Sequence, residues 1–150
     1  MTTKALAIPR GSRRYLALFF PWLPAERLCR TAPQPPDAPL VFAEKQRGAL
    51  RIASVDAQAQ SVGLRPGMPL ADARAQLPRL IVVPHDPVAD HGWLDRLALG
   101  CNRYTPLVAL DAPDGLILDI AGAVHLFDGK AGQIADAEMH RVFNCGIGMV

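Results

Sequence analysis

The stretch from Ser54 to Val83, SVDAQAQSVGLRPGMPLADARAQLPRLIVV, constrains the fold more than any other part of this chain. Its polar first third predicts a short helix that ends at Gly63, because glycine readily takes the left-handed backbone of a helix C-terminus. A tight turn over residues 65–67 follows, and proline near the start of the next segment favours a second helix over residues 70–76. The β-branched run over residues 80–83 predicts a buried strand. The stretch is therefore an α/β module.

The same patterns predict the other elements. Strands are expected over residues 15–20, 40–44 and 49–54, helices over 24–30 and 90–104, and a β-hairpin from 107–110 and 115–120. The first strand is apolar on both faces, so it is expected in the centre of a covered sheet. Residues 1–14 are predicted to be a disordered basic arm, and residues 132–142 could form a last helix. The order of elements predicts an α+β domain whose sheet has helices on one face.

Composition excludes several classes of protein. The 150 residues carry a net charge of +2, which is too small to argue for nucleic acid by itself. Cys29, Cys101 and Cys145 are odd in number and far apart, which favours reduced thiols in a cytoplasmic protein. The histidines have no ligand spacing, so no metal site is predicted. No apolar run reaches about 18 residues, so no membrane partner is expected.

Three segments in the right order resemble the Y-family DNA polymerases, the translesion enzymes related to UmuC and DinB. Arg47-Gly48 followed by GLRPGMP from Gly63 is similar to the fingers motif of that family, and DGLILDI from Asp114 is similar to its palm hairpin. The first strand and the helix after it resemble the start of the palm. The similarity covers residues 15–127 and is closest to the ImuB-type branch. It implies an incomplete palm, with a ferredoxin-like sheet and small helical fingers, and a divergent or truncated end over residues 128–150.

The resemblance also identifies where the metal ligands of an active relative would lie. Its first-strand aspartates fall on Ala17 and Phe19, and the aspartate-glutamate pair of its palm hairpin falls on Asp114 and Gly115. Two Mg²⁺ ions need several carboxylate oxygens, so one retained aspartate is too few. We therefore interpret Asp114 as a turn residue, Asp119 as structural, and predict no catalytic residue, no metal and no cofactor.

The residues that would hold a nucleotide are also replaced. The tyrosine and arginine that grip the triphosphate in active relatives fall on Ala57 and Gln60. Trp93 and Phe127 could stack on bases, but their apolar spacing favours packing in a core. His125 is interpreted as a packing residue.

Contact with DNA requires charge rather than catalytic geometry. Several arginines lie in the predicted fingers segment and are candidates for contact with DNA phosphates. The alternative is that they form an ordinary solvated surface. They are Arg47, Arg51, Arg65 and Arg74, together with Arg79.

The resemblance implies a non-catalytic accessory protein of DNA repair and damage-induced mutagenesis. Its implied partners are damaged or primed DNA, an error-prone replicative-type polymerase and a recombinase-like helper, with a sliding clamp for a full-length relative only. Two alternatives remain: an active Y-family nucleotidyltransferase, and a small α+β binding domain without a DNA role.

Overall fold

The computed structural model describes residues 15–32 and 37–121. Six strands are present in this part of the chain: β1 (Tyr15–Phe19), β2 (Leu40–Gln46), β3 (Ala49–Val55), β4 (Ile81–Pro84), β5 (Val108–Asp111) and β6 (Gly115–Asp119). Four helices accompany them: α1 (Leu23–Thr31), α2 (Ala57–Ser61), α3 (Leu70–Gln76) and α4 (Pro87–Cys101). The predicted basic arm, the helix over 132–142, and Cys145, His125 and Phe127 lie outside the described residues.

The strands form two sheets rather than one. In the first sheet β6 pairs antiparallel with both β1 and β5, and in the second β2 pairs antiparallel with β3 and parallel with β4. The α+β class is confirmed, while the single sheet of the prediction is divided. No helix among the described residues has the length and apolar character needed to span a bilayer.

The second sheet is covered by helices on both faces. Val41 and Ala43 of β2 pack with residues of α2 and α3, whereas Leu40 and Phe42 pack with residues of α1. Because four successive positions of β2 are apolar, both sides of this strand become buried. The two short helices predicted within residues 54–83, α2 and α3, therefore form one of these two layers.

Within the described residues, the first sheet is covered by a helix on one face. Residues of α4 pack with Leu18, Leu116 and Leu118 to form its core. Among residues 15–32 and 37–121 the prediction that β1 is central was wrong, because β6 pairs with both β1 and β5 and takes that place. The face of β1 opposite the core is exposed in this part of the chain. Tyr15 and Phe19 on that face are 57% and 69% exposed.

Helix α4 begins three residues earlier than predicted and ends at Cys101. The Asp86 carboxylate accepts a hydrogen bond from the backbone N–H of Ala89 at 3.0 Å, and Pro87 occupies the first turn. An aspartate N-cap followed by proline is a favourable helix start. This local signal lies before residue 90, where the hydrophobic pattern predicted the start of the helix.

Candidate functional site: a cleft beside the β1–β6 strand end

The pairing of β1 with β6 brings the predicted metal-ligand positions to one end of the first sheet. Phe19 lies opposite Gly115, and Ala17 lies opposite Ile117. The backbone N–H of Phe20 donates to the Asp114 carbonyl at 2.8 Å, which fixes the turn beside this strand end. Positions 17, 19, 114 and 115 are thus neighbours in space, and one of their four side chains is a carboxylate.

Gly115 has no room for a side chain. A Cβ atom built on it would lie 2.9 Å from the carbonyl oxygen of Asp111 and 3.1 Å from its Cβ. These two residues face each other across the β5–β6 pair. A glutamate at this position would therefore require the backbone of the facing strand to shift.

Asp111 is a second carboxylate at this end of the sheet, and the family resemblance gave no sign of it. Burial raises the pKa of the Asp114 carboxyl, a hydrogen bond with its own backbone lowers it, and the charge of Asp111 raises it again. Within the described part of the chain no three side chains of the types His, Cys, Asp and Glu come close enough to hold a metal ion.

A cleft of about 340 Å³ lies beside this strand end, and we call it the palm–fingers cleft. It is bordered by the β1–α1 junction, the end of β3, the fingers turn at Pro66, the start of α4 and the β5–β6 turn. Its polar lining consists of Ser54, His85, Asp90, His91 and Asp114. No lysine or arginine of the described residues lines it.

An ion network lies behind one wall of this cleft and contributes His85 and Asp90 to its lining. The Arg27 guanidinium donates through Nε to the Asp90 carboxylate at 2.7 Å, and Asp90 is only 6% exposed. His85 lies between two carboxylates, with Nδ1 3.0 Å from Glu44 and Nε2 3.4 Å from Asp90. A hydrogen bond from Gln46 lowers the pKa of Glu44, and the contact with His85 lowers it further. The network joins β2, α1 and α4.

The sequence contained one sign of this network. The buried residues of α4 are Asp90, Leu94, Leu97 and Cys101, so the aspartate lies on the apolar stripe of the helix. A charged residue on a buried stripe usually has a partner of opposite charge. That partner, Arg27, is 63 residues away in the sequence, so periodicity alone could not identify it.

The positions at which active relatives would bind the triphosphate make a different contact in this structure. Ala57 is the first residue of α2 and presents no polar group. Gln60 of the same helix accepts a hydrogen bond through Oε1 from the indole Nε1 of Trp22 at 2.9 Å. The amide of Gln60 thus ties α2 to the N-cap residue of α1.

The fingers module consists of the β2–β3 hairpin, α2, α3 and the turn between the two helices. Gly63 and Gly67 have φ values of 91° and 88°, which confirms the predicted helix end and turn. Arg51 donates through Nη1 to the Gly67 carbonyl at 2.8 Å and so holds this turn against β3. The predicted fold of the module is therefore present.

The candidate arginines are spread over this module. Arg47 lies in the β2–β3 turn with φ 49°, Arg65 is exposed in the turn before α3, and Arg74 is exposed on α3. Arg79 is exposed in the segment after that helix, and Arg51 is half-buried. None of the five forms an ion pair within residues 15–32 and 37–121.

Two residues considered for other roles are explained by packing and turn formation. Trp93 is partly buried against the core of the first sheet, and the Arg96 guanidinium lies 6.0 Å from its ring centre. The Asp119 carboxylate accepts from the backbone N–H of Ala121 at 2.9 Å. Both contacts agree with the structural interpretation of these residues.

Comparison with known proteins supports the fold and the family. Protein ImuB of Caulobacter vibrioides is 47% identical over 75 residues, which are 50% of this chain and 16% of that protein. The solved post-insertion binary complex of Dbh DNA polymerase superposes with a TM-score of 0.66 at 20% identity, covering 83% of this chain and 39% of that one. The chain thus spans well under half the length of either protein.

A short similarity of another kind is also present. Phosphoribosylformylglycinamidine cyclo-ligase of Bordetella pertussis is 90% identical over 21 residues, which are 14% of this chain and 6% of that enzyme. So small a share of the enzyme carries neither its fold nor its activity.

The family match covers most of the chain. The model of the impB/mucB/samB family matches residues 24–148, a range that includes most of the C-terminal segment expected to diverge. Together with the two polymerase-related similarities, this match confirms the predicted ImuB-type, Y-family-like resemblance. The protein belongs to the impB/mucB/samB family.

Proposed function

We propose that this chain is the palm and fingers part of a non-catalytic, polymerase-like protein that acts at DNA in translesion synthesis and damage-induced mutagenesis. Its partners in the cytoplasm are damaged or primed DNA, an error-prone replicative-type polymerase and a recombinase-like helper, with the sliding clamp reserved for a full-length relative. In this proposal the chain contributes a scaffold, and the nucleotidyl transfer is performed by a partner.

One observation carries the proposal. The strand end that would hold two Mg²⁺ ions presents Ala17, Phe19 and Gly115, and the backbone at Gly115 leaves no space for a side chain. Asp111 and Asp114 are the carboxylates nearby. Two Mg²⁺ ions about 4 Å apart repel each other strongly, and too few oxygen ligands are present to offset that repulsion.

The test of this part is nucleotide incorporation. A full-length relative with these residues is incubated with a primed template, nucleotides and Mg²⁺, beside an active family polymerase as positive control. We expect no extension of the primer. Extension that disappears in the Asp114→Ala variant would establish the active-transferase alternative instead.

Binding to DNA is assigned to the exposed arginines of the fingers. Arg47, Arg65 and Arg74 have no carboxylate partner among the described residues, so their charge is available to phosphates. Each phosphate neutralised by a protein cation contributes about 0.9 to the slope of log affinity against log salt for duplex DNA. We therefore expect binding that weakens steeply as salt rises.

The test compares matched variants. Removing Arg47 or Arg65 by alanine substitution should weaken binding to primed DNA and lower the salt slope by about 0.9 for each phosphate that is no longer neutralised. The control is Arg96→Ala, which removes an equally exposed arginine from α4, outside the fingers. No binding at low salt would favour the α+β domain without a DNA role, and equal weakening in the control would show that only overall charge matters.

A further inference from the structure

The palm–fingers cleft has a chemistry of its own that the proposed function does not use. We propose that it binds the guanidinium group of an arginine side chain presented by another protein. The proposal rests on the walls, the charge and the size of the cleft, and it does not depend on DNA binding.

The walls of the cleft are rigid and largely apolar. Five prolines line it, together with Phe20: Pro21, Pro24, Pro66, Pro87 and Pro113. A proline ring has a fixed φ, so these walls lose little conformational entropy when a ligand is bound. The volume of about 340 Å³ lies at the small end of ligand sites, which suits one long side chain.

The charge of the cleft selects a cation. Its titratable lining consists of Asp90, Asp114, His85 and His91, and no lysine or arginine of the described residues lines it. Asp114 and its neighbour Asp111 form no ion pair in the described part of the chain. A phosphate would meet these carboxylates without compensation, whereas a cation would relieve their repulsion.

A buried oxygen on the opposite wall points the same way. Asp90 Oδ2 is inaccessible to solvent and accepts no hydrogen bond; His85 Nε2 lies 3.4 Å from it, while Arg27 pairs with Oδ1 of the same carboxylate at 2.7 Å. This wall therefore has one carboxylate oxygen without a hydrogen bond, although Arg27 offsets the charge of that carboxylate. A cation held in the cleft would lie between Asp90 and Asp114.

Guanidinium fits this setting better than ammonium. Its planar donors can bind both oxygens of one carboxylate, and its flat face can pack on proline and phenylalanine rings. Behind the cleft wall, Arg27 already donates a single guanidinium hydrogen bond to Asp90 at 2.7 Å. A second guanidinium at Asp114 would repeat the same chemistry at the open side.

The experiment is a calorimetric titration of the full 150-residue chain with the peptide acetyl-Gly-Arg-Gly-amide. The same peptide with citrulline, a neutral isostere of arginine, and with lysine serve as controls. We expect saturable binding of the arginine peptide, weaker binding of the lysine peptide and none of the citrulline peptide. These three titrations use the unaltered protein, so they do not depend on the folding of any variant.

Two variants then locate the site. Asp114→Asn should lower the affinity for the arginine peptide by about tenfold or more, which is the loss typical of removing a hydrogen bond to a charged group. Asp72→Asn makes the same chemical change on the exposed side of α3 and should leave the affinity unchanged. The proposal is overturned if the arginine peptide does not bind, if citrulline or lysine binds as well, or if Asp114→Asn has no more effect than Asp72→Asn.

Discussion

Gly115 allows the sharpest test of the site geometry, because alanine there adds a single methyl group. That methyl would lie 2.9 Å from the Asp111 carbonyl oxygen and 3.1 Å from the Asp111 Cβ, both of which belong to the facing strand. Overpacking of this kind costs about 1–3 kcal/mol. Replacing glycine also lowers the conformational entropy of the unfolded chain, which offsets about 0.4–1 kcal/mol of this destabilisation. We therefore expect Gly115→Ala to lower the free energy of unfolding by about 1–2 kcal/mol.

The assay is chemical denaturation followed by circular dichroism, with Gly92→Ala as the matched control. Gly92 lies in α4, and a Cβ atom there meets nothing within 4 Å. The same substitution at that helical site should raise the free energy of unfolding by about 0.5–1 kcal/mol. If Gly115→Ala is as stable as the original chain or more so, then β5 and β6 are not packed as described. The argument that position 115 excludes a glutamate would then fail.

Three further predictions concern the framework around the cleft. Arg27→Met leaves the buried Asp90 carboxylate without its main partner, so the free energy of unfolding should fall by about 3 kcal/mol in urea denaturation. The Arg27→Met, Asp90→Leu double variant leaves no unpaired charge and should lose less. A smaller loss in the single variant than in the double variant would contradict this prediction. Asp86→Ala removes the N-cap of α4 and should cost about 1 kcal/mol in the same assay, and no loss would mean that the cap is dispensable. Burial raises the pKa of the Glu26 carboxyl, and the charge of the nearby Arg30 offsets part of that rise. The ionised carboxylate therefore destabilises the fold above the raised pKa. Glu26→Gln should accordingly stabilise the chain at neutral pH, and the gain should vanish in melts at pH below the ordinary glutamate range; a gain that persists there would contradict the burial argument.

Much of the local structure could be predicted from the sequence alone. Gly63 and Gly67 marked a helix end and a turn, and helix α3 was predicted with its observed bounds. Such features depend on backbone conformations that one or a few neighbouring residues decide. The absence of carboxylates at positions 17, 19 and 115 was also evident from the sequence. Helix ends, turns and the identity of missing side-chain groups can therefore be predicted without knowledge of the fold.

The tertiary structure decided how distant residues meet. It placed Asp111 opposite Gly115, joined Arg27 to Asp90 across 63 residues, and joined Trp22 to Gln60 across 38. It also divided the strands into two sheets. These pairings depend on strand register and helix packing, which arise from burial of the whole apolar surface and not from any one segment. The sequence alone could thus determine which chemical groups are missing from the strand end, whereas only the fold shows that a proline-walled, carboxylate-bearing cleft lies beside it.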